Sequence, residues 1–287
     1  MKSFMVDLKK NILSPNFIIS ILLMTFLCLL ADAPNVSARE PLSVFDEIVK
    51  MRRAIWLDKG TDFSSISIFY HFDNSLWFNI VLPIIAAFTV VYHFSDEWFG
   101  DNYILTLYRS GYKKYTFAKL SAAFITGFLV ALIGLSIFGL IIFNVFPSIN
   151  EFGDGAFWYY DSAYSSAYSA VIAKIINTSS VCGAYAFLSL FVCLLLKDKF
   201  FTLSLFMVVN YFSVKLDVKF MNSVSLADSK NRALRGFFPN NQTLLYSIIP
   251  NEFNISFYWY LGVVWLLFIV TTILSFLIIR RRYKYAS

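Results

Sequence analysis

From Phe117 to Phe146 the chain carries one charge, Lys119, in an otherwise apolar run with few polar residues. At about 1.5 Å rise per residue, a helix of that length exceeds the roughly 30 Å hydrocarbon core of a bilayer. Similar runs cover residues 16–31, 76–92, 171–196, 200–215 and 257–279. Composition agrees, since 58% hydrophobic and 15% charged residues leave too little polar surface to clothe a soluble globule. Lipid removes that requirement by replacing water around the outer faces. The expectation is a single transmembrane domain over 1–287: an all-α integral membrane protein with six transmembrane helices.

The segments between the runs set the topology. Residues 1–15 read as an amphipathic interfacial helix, with Phe4, Met5, Leu8 and Ile12 on one face and Lys2, Asp7, Lys9 and Lys10 on the other. Ser14-Pro15 then marks a bend. Ala31-Asp32-Ala33 resembles a signal-peptidase site, but the amphipathic stretch is longer than an ordinary leader's basic start, which favours an uncleaved first span. Residues 32–75, 147–169 and 216–256 read as outer loops, 93–116 as a cytoplasmic segment and 280–287 as a cytoplasmic tail. Lys9-Lys10, Lys113-Lys114, Lys197, Lys199 and Arg280-Arg281-Arg282 fall on one side, while 147–169 has no Lys or Arg. The positive-inside rule therefore places both termini in the cytoplasm of a multi-pass protein of the plasma membrane, bacterial in type. The net charge of +6 is accounted for by these flanks, and no nucleic-acid partner is expected.

The segment from Phe94 to Lys119 is the most specific. Ser95 suits a helix N-cap, and Asp96 and Glu97 suit the positive pole of the helix dipole. Trp98, Ile104, Leu105 and Tyr108 form an apolar face, Gly111 suits a helix end, and Lys113, Lys114 and Lys119 hold the next span at the inner leaflet. A rigid amphipathic helix in this position can pass force from a soluble partner into the membrane.

Glu97, Gly100, Leu105, Leu107, Arg109, Ser110, Gly111, Tyr115 and Lys119 together resemble the coupling region of ABC-2-type ABC transporter permeases. The interfacial helix before the first span and the partly apolar loop before the last resemble that family too, although the 32–75 loop is long for a minimal permease. The resemblance implies the permease subunit of an ATP-driven exporter that moves an amphipathic substrate: a peptide, a bacteriocin or a lipid-like molecule. Asp96, Glu97, Gly100, Arg109 and Gly111 would then couple to the ATPase. The chain has no G-x-x-x-x-G-K-[ST] loop, so no cofactor is expected on it. ATP and Mg would sit in a separate ABC ATPase subunit, in two copies, beside a second permease subunit, identical or homologous, all within membrane lipid.

Charged and polar residues inside apolar runs mark a candidate substrate path: Lys174, Asn177, Thr178 and Lys215. Snorkelling to the interface is the simpler reading of the two lysines, the alternative being that they line a substrate route or pair with the acids at 151, 154 or 161. Hydrogen bonding between helices explains Asn177 and Thr178 as well as a pathway does. His71 and His93 are the only histidines and lie far apart, no H-E-x-x-H or G-x-S-x-G occurs, and no metal site is expected. The chain is therefore not expected to be an enzyme by itself. The alternative from another class is a non-transporting sensor or receptor scaffold that binds a ligand with its outer loops.

Overall fold

The structure, a computed structural model, describes residues 2–33, 42–50, 63–73, 75–100, 102–152, 167–196, 198–223, 266 and 268–281. Helix α1 (Lys2–Ile12) ends in Lys9 and Lys10, which complement the negative pole of its dipole. Helix α2 (Pro15–Leu29) starts where Pro15 occupies the first turn and Ser14 Oγ accepts from the amide of Phe17 at 3.2 Å. The two axes differ by 60°. Short helices α3 (Val44–Lys50) and α4 (Ser65–Tyr70) precede α5 (Leu76–Phe99), α6 (Asn102–Ser110), α7 (Tyr112–Val145), α8 (Ala167–Leu196) and α9 (Lys199–Ser223). A last helical stretch, α10, covers 268–281.

Helix α7 is central, with α1, α2, α5 and α8 packed on it, while α9 lies chiefly along α5. The α7–α8 seam is tight because it is built on glycine. A Cβ on Gly127 would stand 2.5 Å from Ala186 Cβ, and one on Gly183 would stand 2.9 Å from the Phe124 carbonyl oxygen. Small residues allow such approach between helices that share no hydrophobic driving force in lipid. Toward the α1 end, Trp98, Tyr115, Leu107 and Leu190 form one buried cluster; toward the far end Phe69, Phe72, Phe78 and Phe138 anchor another. The outward faces of α2 and α9 stay apolar, for instance at Leu22, Phe26, Val209 and Phe212, as lipid-facing surfaces do.

The six-span expectation is not met. Among the described residues three helices are long and apolar enough to cross a membrane, Trp77–Phe99, Tyr112–Glu151 and Val171–Leu196, or four when the bent α1–α2 pair counts as one. The 16–31 run yields a helix of 15 residues, about 22 Å long and short of a full crossing. In the 200–215 run only Lys199–Phe212 is apolar, because α9 continues into Lys215, Asp217 and Lys219. Of the 257–279 run, 257–265 and 267 lie outside the described residues, and 268–281 alone is too short to span. Of the 216–256 loop, the residues through Ser223 belong to α9 and the rest lies outside the described residues.

The 93–116 segment also differs from expectation. Ser95 caps nothing: α5 runs through it to Phe99 and stops at Gly100, and only then does α6 begin. Asp96 and Glu97 therefore sit in the last turn of a helix, at the pole that disfavours acids. Gly111 behaves as expected, ending α6 with φ +74 and donating its amide to the Leu107 carbonyl at 2.9 Å.

A buried ion cluster at the candidate functional site

Acids at the wrong end of α5 need cations, and α7 supplies one. The Lys119 ammonium donates to Asp7 Oδ1 of α1 and to Glu97 Oε2 of α5, each at 2.6 Å. All three side chains are about one-tenth exposed. Tyr115 Oη donates to Glu97 Oε1 at 3.1 Å, and half-exposed Lys10 stands 3.7 Å from Glu97 Oε2. Two acids and two ammonium groups thus balance in one place. Asn11 extends the tie by donating to Thr126 Oγ1 at 3.1 Å. Helices α1, α5 and α7 are joined here by charge, because a buried ion left unpaired is far more costly than a paired one.

A cavity of about 20 Å³ opens beside this cluster, lined by Asp7, Lys10, His93, Glu97 and Lys119 together with Leu190. It has room for one water molecule. Among the described residues, Asp7 Oδ2 and His93 Nε2 are buried there without a hydrogen-bond partner, which gives such a water two polar neighbours. The groups that could form a metal site do not converge: no set of three His, Cys, Asp or Glu side chains does so among the described residues.

Helix α6 lies against the cluster with two unlike faces. Tyr103 and Leu107 are buried, and the Tyr103 ring sits 4.4 Å from that of Trp98. On the other side Leu105 is 66% and Tyr108 41% exposed, beside exposed Arg109, Lys113 and Lys114. The structure thus separates the five residues expected to act together. Glu97 is turned inward, while Gly100 and Gly111 bracket the loop and the helix. Asp96 is exposed and accepts from Lys199 of α9 at 3.1 Å, a pairing that raises the Lys199 ammonium pKa above its ordinary value. Arg109 remains on the open face. The signal for Asp7 and Lys119 was present in the sequence, as the one acid on the polar face of α1 and the one charge of a long apolar run.

The residues of the expected substrate path lie on two helices, Lys174, Asn177 and Thr178 on α8 and Lys215 on α9. Lys174 pairs with Asp73. Its ammonium donates to Asp73 Oδ1 at 2.8 Å and to the Tyr70 carbonyl. Positions 154 and 161 lie outside the described residues, and Glu151 accepts from the amide of Ser148. Asn177 and Thr178 are buried in α8. Lys215 is exposed on α9, 5.7 Å above the Tyr211 ring.

Comparison of the chain with protein families, with characterised proteins and with solved structures finds no match. The class defined by fold and composition is a helical protein that spans the membrane with part of its chain.

Proposed function

We propose that this chain is the permease subunit of an ATP-driven exporter, worked by separate ABC ATPase subunits, and that α6 is where they push. The observation that carries the reading is the division of α6: an open apolar and basic face (Leu105, Tyr108, Arg109) backs onto a buried face seated on the end of α5. That end is fixed to α1 and α7 through Glu97 and Lys119. Force on the open face would reach three helices at once. In this reading Glu97 and Asp7 hold the lever, and Leu105, Tyr108 and Arg109 meet the partner.

The arrangement of ends supports cytoplasmic termini in a bacterial plasma membrane. Lys10, Glu97, Lys119, Asp96 and Lys199 meet at one end of the bundle, where Arg109, Lys113 and Lys114 also lie. Excess Lys and Arg favours the cytoplasmic side. The substrate class is an amphipathic molecule, a peptide or a lipid-like compound, which the aromatic sequence of the expected outer loops suits.

The test is purification of the tagged full-length chain in mild detergent, with mass spectrometry and an ATPase assay on the eluate. A stoichiometric P-loop ATPase, lost on Leu105→Asp with Arg109→Glu, is the expected result. A folded, intact chain that brings no ATPase would favour the sensor scaffold and overturn the transporter reading.

A further inference from the structure

The segment 63–73 belongs to a region whose sequence suits an outer loop, yet it is sunk into the bundle. Every residue from Phe63 to Phe69 is buried, as are Phe72 and Asp73. Helix α4 packs between α7 and α8, and the Ser65 amide donates to the Pro147 carbonyl at 2.9 Å. Six residues do not hold a helix in water unaided, so contacts from outside keep α4 in place. One set is aromatic: the Phe69 ring lies 5.6 Å from those of Phe72 and Phe138 and 6.1 Å from that of Phe143. The other is the ion pair between Asp73 and Lys174. Asp73 is fully buried and the Lys174 side chain 5% exposed, and the ammonium stands 4.3 Å from the centre of the Tyr70 ring. Asp73 Oδ2 is buried without a partner among the described residues, so the pair is incompletely compensated.

Beneath the segment lies the core shared by α2, α7 and α8, which includes Cys28 and Cys182, both essentially inaccessible. We propose that residues 63–73 are a displaceable strap that closes the far end of the bundle. The Asp73–Lys174 pair latches it, and its release admits polar solutes to the interior between α2, α7 and α8. A buried pair suits a latch, because it is strong while both charges are present and becomes a liability when either is lost. The strap is read from the geometry of the far end; that this end faces outward rests on the orientation proposed above.

The native thiols make the test direct. Cells expressing the full-length chain are treated with a membrane-impermeant cationic methanethiosulfonate, and labelling is located by peptide mass spectrometry. In the wild type Cys28 and Cys182 stay unlabelled until denaturation. In Lys174→Met they are labelled at least about tenfold faster, and exchanging the charges (Asp73→Lys with Lys174→Asp) restores protection. Ser67→Cys, placed in the strap, reports its movement separately. If Ser67→Cys becomes reactive while Cys28 and Cys182 stay protected, the segment moves but seals nothing and the proposal fails. If none of the three reacts in Lys174→Met, the latch holds nothing and the proposal also fails. Should Lys174→Met not reach the membrane, Phe72→Ala loosens the aromatic contacts with the ion pair intact and must expose the same thiols; full protection there overturns the strap. Labelling confined to inside-out vesicles would keep the strap and overturn the orientation.

Discussion

Replacing Lys119 with methionine removes the cation shared by Asp7 and Glu97 and leaves most of its volume filled. Each carboxylate oxygen is 2.6 Å from the ammonium, so the two are at most about 5 Å apart once it is gone. At an effective dielectric constant of about 20, like charges at that distance repel by about 3 kcal/mol. Loss of two charge-assisted hydrogen bonds adds to this, and water entering the adjacent cavity offsets part of it. The expected destabilisation is about 3–5 kcal/mol, in line with a buried pair broken from one side. Titrating the purified chain with sodium dodecyl sulfate in mixed micelles reports it through tryptophan fluorescence, since Trp98 is buried beside the cluster. Neutralising the orphaned acids as well, with Asp7→Asn and Glu97→Gln, should recover most of the loss. A Lys119→Met chain as stable as wild type, or a triple variant worse than the single one, would refute the argument that charge balance holds α1, α5 and α7 together.

Other expectations follow from the same geometry. Lys199→Ala should leave the unfolding midpoint at its wild-type value in moderate salt, because its pairing with Asp96 is exposed and screened. Gly127→Leu should lower stability by roughly 2 kcal/mol or more in the same titration, since even a Cβ there meets Ala186 and the Cys182 carbonyl. Gly111→Ala should lose about 1–3 kcal/mol through its backbone alone, since φ +74 with ψ 148 is a conformation open essentially to glycine and nothing lies within 4 Å of the added methyl; an unchanged midpoint would show that α6 ends differently. Glu97→Lys should weaken the fold at least as much as the partner contact, which measuring stability and ATPase co-purification side by side would separate.

How far the sequence could be read depended on length and continuity. The runs at 117–146 and 171–196 became α7 and α8 because no proline breaks their hydrogen-bond ladder and their lysines, Lys119 and Lys174, are paired inside the bundle. The 16–31 run falls short of a crossing by itself because Pro15 starts a new helix axis and the chain leaves it at Leu30, so the apolar length divides across a bend and makes a span only when α1 and α2 count together. Ser95 looked like a cap because capping preference is local, whereas the ladder of α5 arrives from upstream and ends only at Gly100. Residues 63–73 looked like an outer loop because serines and an aspartate read as solvent-facing. Their polar groups are met inside the bundle instead: Ser64 Oγ accepts from the Ser67 amide at 3.3 Å, and Lys174 answers Asp73. The inner cluster was half legible. A lysine alone in an apolar run announces a partner, but which acid answers it depends on α1 folding back onto α7, and no spacing encodes that contact.

In the proposed permease the open face of α6 meets an ATPase. The most direct test of that contact places a photoreactive amino acid at Tyr108 in the full-length chain and irradiates intact cells. A crosslink to a P-loop ATPase, abolished by Arg109→Glu, is the expected result. Crosslinks to lipid alone, in a chain that is folded and in the membrane, would show that α6 lies on the bilayer surface and would contradict the proposed contact.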